Sequence, residues 1–188
     1  MKYKHTDEKL VPFLAALCLF LSTIENAIPK PLPFLRLGLS NLPVILALFL
    51  LPKRKVLLLA AFKITAQGII SGTLFSYIFL FSAAGSFSSA IAMMALYSLL
   101  NKTDKLFTNE RQLANISTIG ISLTGSLAST IAQITLARFF LFGANTKYIA
   151  PILLISGLVT GLLLGIFSEL FIQKSKWFNL VLKSEQSK

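Results

Sequence analysis

Apolar runs of roughly bilayer length alternate with short basic loops along nearly the whole chain, and this pattern leaves little freedom in the choice of fold. A chain of 188 residues that is 55% hydrophobic and only 13% charged, with mean hydropathy +0.75, is too apolar for a soluble core. About 20 residues cross the hydrocarbon layer as a helix. Lipid offers no partner to an open backbone N–H or C=O, so each run is expected to satisfy its own hydrogen bonds as a helix. The expectation is an all-α, polytopic membrane bundle of about six transmembrane helices, with residues 1–188 as a single domain.

The runs read as 10–28, 39–51, 56–81, 82–100, 113–142 and 148–172. Pro29, Pro31 and Pro33 end the first, because each removes a backbone donor, and they leave a Pro-rich loop over 29–38 suited to gating. The second run is short for a crossing and stops at Pro52, which predicts an inclined or half-buried segment. Thirteen of the eighteen Lys and Arg residues fall in the N-terminal segment, the second and fourth loops and the tail 173–188. The opposite side holds only Lys30, Arg36 and Lys147, so the positive-inside bias predicts both termini to be cytoplasmic. Lys63 and Arg138 are left within apolar runs.

A net charge of +11 in a soluble protein would suggest nucleic acid. Here the basic residues sit at span ends, where they set orientation and meet anionic lipid, so a nucleic-acid partner is not expected. Lys2, Lys4 and Lys9 ahead of an apolar run imitate a signal peptide, but no small-residue cleavage pattern follows and the first span reads as retained. Cys18 is the sole cysteine, which excludes an internal disulfide, and His5 is the sole histidine. Gly157, Gly161 and Gly165 recur every four residues, as do Ser122, Ser126 and Thr130, and Gly68 with Gly72. Such stripes let helix backbones approach closely in lipid, and intramolecular packing is their simplest reading. Tyr77, Tyr97, Tyr148 and Trp177 fall near span ends and read as interfacial anchors.

Ionisable groups at the centre of a lipid-embedded helix cost about 2.5–3.5 kcal/mol each by insertion scales, so the few present mark a cavity or one another. Followed along the predicted directions, Glu25, Asn26, Arg36 and Arg138 fall toward the outer side, Lys63 and Glu169 toward the cytoplasmic end, and Gln67 and Gln133 nearer the middle. Glu25 with Arg138 reads either as an ion pair joining the first and fifth spans or as part of an anion site. In the second reading the guanidinium forks of Arg36 and Arg138 grip phosphate or carboxylate beside Asn26, and Glu25 orients one of them. Lys63 with Glu169 reads first as an internal pair or as snorkelling to the headgroups. Gln67 and Gln133 read as interhelical hydrogen-bond partners or as polar walls of a cavity. No paired-aspartate motif, Walker sequence, histidine pair or serine elbow is present, so no catalytic residue, metal site or cofactor is assigned.

The run from Glu25 to Asn41, ENAIPKPLPFLRLGLSN, resembles the signature of the bacterial Gx transporter family, also known as heptaprenyl diphosphate synthase component I. The segments from Lys63 to Gly72, from Phe81 to Ser86 and through Met93 and Met94 are similar to it as well. That family in turn is similar to the substrate-binding S components of energy-coupling-factor vitamin transporters. The resemblance implies a six-helix protein of the bacterial inner membrane whose first loop helps cover an outward-facing pocket. It further implies a separate energising ATPase and transmembrane coupling complex as partner.

Prenyl synthase chemistry needs acidic residues to hold magnesium, whereas five of the seven acidic residues here lie in predicted loops or tails. The expectation is therefore a non-enzymatic component that binds a small anionic or amphiphilic molecule of the vitamin or quinone-precursor type. The substrate residues assigned are Glu25, Asn26, Arg36, Asn41 and Arg138, with Lys63, Gln67 and Gln133 as polar groups of the cavity. The alternative is a non-catalytic membrane subunit of heptaprenyl diphosphate synthase, in isoprenoid or menaquinone biosynthesis.

Overall fold

The computed structural model describes residues 4–27, 38–107 and 118–175. Six α-helices carry them: α1 (Lys4–Ala27), α2 (Leu42–Leu50), α3 (Lys53–Ile70), α4 (Tyr77–Phe107), α5 (Thr118–Ala137) and α6 (Thr146–Lys174). A 3-10 turn at Leu39–Asn41 leads into α2, and a π-helical turn at Arg138–Phe142 closes α5. No strand occurs among the described residues. Three stretches, Tyr77–Leu100, Thr118–Phe142 and Thr146–Lys174, are each long and apolar enough to cross a membrane. The first two apolar runs give shorter helical stretches, Leu10–Glu25 and Leu39–Leu50.

The outer face of α6 shows why the solvent must be lipid. Ile155, Val159, Leu163 and Phe167 are all more than half exposed, and water would penalise such a continuous apolar stripe. The hydroxyls facing outward are consumed by their own helices. Thr65 donates to Ala61 O at 2.9 Å, and Thr135 to Ile131 O at 2.8 Å. Bonded in this way, a threonine presents little unpaired polarity to hydrocarbon.

The second run forms a short helix enclosed by the rest of the bundle. Every residue of α2 except Phe49 is buried, and a nine-residue helix is only about 14 Å long. A helix that is hydrophobic all round belongs inside a bundle, and α2 indeed packs against α1, α3, α4, α5 and α6. Those five follow one another around it, with α3 between α1 and α4, and α5 between α4 and α6. The π-helical turn and the loop 71–76 thus share one end of the bundle and Pro52 lies at the other, while Gly38 sits at mid-depth, against Leu164 of α6.

The run read as 56–81 is two elements. Helix α3 ends at Ile70, where Ser71 N–H donates to Gln67 O, and Gly72 then turns the chain at φ +63°. After the six-residue loop 71–76, α4 begins at Tyr77, five residues before the expected start at Ser82. A Cβ at Gly72 would meet nothing within 4 Å, so this glycine serves the turn and not helix packing. Gly68 does pack, against the Phe79 ring of the same hairpin. Gly72→Ala is expected to cost about 1 kcal/mol from the left-handed backbone alone, measurable as a lowered unfolding midpoint in detergent.

The two small-residue stripes face each other across α5 and α6. Gly157 lies against Thr130, Gly161 against Ser126, and Gly165 against Ile119 and Ser122. Ser122 Oγ donates across the seam to Gly161 O at 2.8 Å. Close approach of backbones exposes carbonyls that a neighbouring hydroxyl can reach, which is the packing logic expected in lipid. Helix α4 uses the same device toward α5, where Ser88 Oγ donates to Ala128 O at 3.0 Å.

Candidate polar site at the 3-10 turn

The turn at Leu39–Asn41 sits where α1 and α3 converge on the start of α2, and it collects most of the buried polarity on that side of the bundle. Gly38 adopts φ 80°, ψ 15° ahead of it. This left-handed conformation suits glycine and aims the Gly38 N–H at Glu25 Oε1, 3.1 Å away. Asn41 N–H closes the turn onto Gly38 O at 2.8 Å. The Asn41 side chain accepts from Lys63 Nζ at 2.6 Å through Oδ1. Glu25 and Lys63, 1% and 2% exposed, thus flank the same turn with opposite charges. Charges so deep require polar partners, and the turn's backbone and amide provide them.

A second layer lies beside the first. Ser22 Oγ donates to Gln67 Oε1 at 3.2 Å, joining α1 to α3 one turn from Glu25 and Lys63. Gln67 Nε2 is buried and has no hydrogen-bond partner among the described residues. The Cys18 thiol donates to Ser40 O at 3.6 Å. On the far side of the turn, Gly38 and Asn41 face Ser126, Ser129 and Thr130 of α5 and Gly157 and Thr160 of α6 across a cleft of about 10 Å³. That is the room of a single water. Ser129 in turn accepts from Gln133 Nε2 at 3.2 Å. One polar seam therefore runs through the bundle from Ser22 and Gln67 to Gln133, passing through Asn41.

Of the residues expected to bind substrate, the structure brings Glu25 and Asn41 together, and it adds Lys63 and Gln67 to them. Gln133 reaches the seam from α5. Asn26 occupies the last turn of α1 beside Glu25, and its side chain lies outside the described residues. Arg36 and the loop 29–38 up to residue 37 lie outside them too. Arg138 is exposed on the π-helical turn, with no partner among the described residues, so the expected pair with Glu25 is not formed. Lys63 does not pair with Glu169 either. Glu169 accepts from Gln173 at 3.4 Å, one helical turn away. Lys63 is the eleventh residue of the eighteen in α3, which puts it at mid-helix.

Two residues that sequence reasoning left out of the site are Ser22 and Gly38. Ser22 stands three residues before Glu25 and shares its helix face, and Gly38 precedes a polar Ser-Asn pair; both signals were available. Tyr97, read as an interfacial anchor, packs edge-on against Phe49 at 5.5 Å. Tyr77 and Tyr148 are exposed near helix ends, as an anchor requires.

Residues 14–171 match the family described as heptaprenyl diphosphate synthase component I. Comparison with curated proteins finds no match, and neither does comparison with solved structures.

Proposed function

We propose that this chain, which belongs to the heptaprenyl diphosphate synthase component I family, is a substrate-binding component of a membrane transporter and holds its substrate in the polar seam at the 3-10 turn. The observation that supports this most is the unpaired Gln67 Nε2, 3% exposed, one helical turn from the buried Lys63. An unmet donor in so dry a place costs about 1–3 kcal/mol, and a ligand acceptor there removes that cost. Donors from Lys63, Asn41 and Gln67 suit a small anionic or carbonyl-bearing molecule. Glu25 holds the turn through Gly38 and keeps the seam neutral overall.

A cleft of about 10 Å³ is too small for such a molecule, so loading requires the turn to move away from α5 and α6. The Pro-rich segment that precedes it is the natural lever, and it takes the role of a gate on the outer side. Inward passage then needs an energising ATPase and coupling protein, as in the S components that the sequence resembles, with the chain resident in the bacterial inner membrane and both termini cytoplasmic. The family's name favours a second reading, a non-catalytic subunit beside a soluble prenyl synthase.

Affinity capture of the chain from its native membrane in mild detergent separates the two readings. Recovery of ATPase subunits with a transmembrane coupling protein is expected. A soluble prenyl synthase in stoichiometric amount, without them, would reject the transport reading.

A further inference from the structure

The corner between α2 and α3, away from the polar seam, sets the exposed cations Lys53 and Arg54 beside an apolar groove. The groove has a volume of about 310 Å³ and is walled by Leu48, Phe49, Leu50, Leu51, Pro52 and Tyr97, with Lys53 at its rim. Cavities from about 300 Å³ upward are of ligand size. Lys53 and Arg54 are both exposed. Lys53 Nζ donates to Ser98 Oγ at 2.8 Å, which holds its ammonium at the mouth. Arg54 has no hydrogen bond or ion pair among the described residues. Together with Lys55 they form the first turn of α3, which contains no acidic residue and no side-chain cap. The helix dipole is positive at that end, so three cations there oppose it. A protein that kept them for orientation alone could have placed them in the loop before the helix.

We propose that this corner binds one anionic phospholipid, with the phosphodiester between Lys53 and Arg54 and the first acyl carbons in the groove against Leu50 and Tyr97. The charge calls for an anion, and the walls call for an amphiphile. A soluble anion would leave the apolar groove unfilled, and an uncharged lipid would leave Lys53 and Arg54 without a counter-charge. Both requirements meet in a phospholipid at the membrane surface, where basic pockets at helix ends hold acidic headgroups. The site is separate from the polar seam and does not depend on the transport reading.

The test is native mass spectrometry of the detergent-purified protein equilibrated with phosphatidylglycerol or phosphatidylcholine. The unmodified chain is expected to retain one phosphatidylglycerol in preference to phosphatidylcholine. Lys53→Gln/Arg54→Gln is expected to weaken that retention by roughly tenfold to thirtyfold, as for the loss of two interfacial charges. The charge-preserving Lys53→Arg/Arg54→Lys retains the lipid, which separates loss of the site from loss of folding. Lys174→Gln/Lys176→Gln removes the same charge elsewhere and leaves retention unchanged. Equal weakening by both neutralising pairs, equal retention of the two lipids, or displacement of the lipid by inorganic phosphate would each overturn the proposal.

Discussion

Replacing Lys63 by methionine is expected to destabilise the folded protein by about 3 kcal/mol, the scale for removing one member of a buried charged network. The shift of the unfolding midpoint in a denaturing-detergent titration measures it. Methionine matches the stem of lysine closely, so little of this loss arises from packing. It arises because Asn41 Oδ1 loses its 2.6 Å donor and because the Glu25 carboxyl group, 1% exposed, is left in a seam that no longer contains the ammonium. Adding Glu25→Gln to Lys63→Met is expected to recover part of the stability, since the double variant buries no net charge. A double-mutant cycle reads this directly. Strict additivity would mean that the two residues do not share one electrostatic neighbourhood.

Gly165→Ala is expected to cost about 2 kcal/mol, in the range of core overpacking, and to be the most damaging alanine substitution on the α6 stripe. Its Cβ would stand 2.7 Å from the Ile119 Cα, so α5 and α6 must separate to admit it. At Gly157 the obstacle is the Thr130 hydroxyl, a side-chain atom that a second mutation can remove. Thr130→Ala is therefore expected to rescue Gly157→Ala, whereas no side-chain truncation at position 119 rescues Gly165→Ala. Thermal unfolding of the four single and double variants in one detergent decides the matter. Equal rescue at both glycines would show that the backbones are not in contact at Gly165.

The glycine and hydroxyl stripes were readable in advance because spacing by four residues survives any error in helix ends. The run 148–172 likewise falls within Thr146–Lys174. The break after Ile70 was hidden by composition: Gly68 to Phe75 is apolar enough to continue a span, and Gly72 resembles a packing glycine until its φ is known. That one error also displaced Lys63, since depth was counted along a helix that ran too far. The shortness of α2 suits a buried helix, but its neighbours on every side come from tertiary packing that hydropathy does not encode.

The polar site was half visible for a related reason. Glu25 and Asn41 are distant in sequence and separated by prolines, and the left-handed Gly38 turns its N–H onto Glu25. Composition alone cannot say whether a buried lysine meets a carboxylate on a neighbouring helix or an amide in a turn. The exposure of Arg138 follows the register of α5, in which it falls on the same outward face as the exposed Ile131 and Thr135.

Transport by this chain requires the seam at the 3-10 turn to be where a small molecule is held. The most direct test is the set of non-lipid masses that remain on the protein in native mass spectrometry after gentle purification from its own membrane. The unmodified chain is predicted to carry one such molecule, and Asn41→Ala and Gln67→Leu to lose it while the helical content is retained. A molecule that stays bound in both folded variants would contradict the account and place the ligand elsewhere in the bundle.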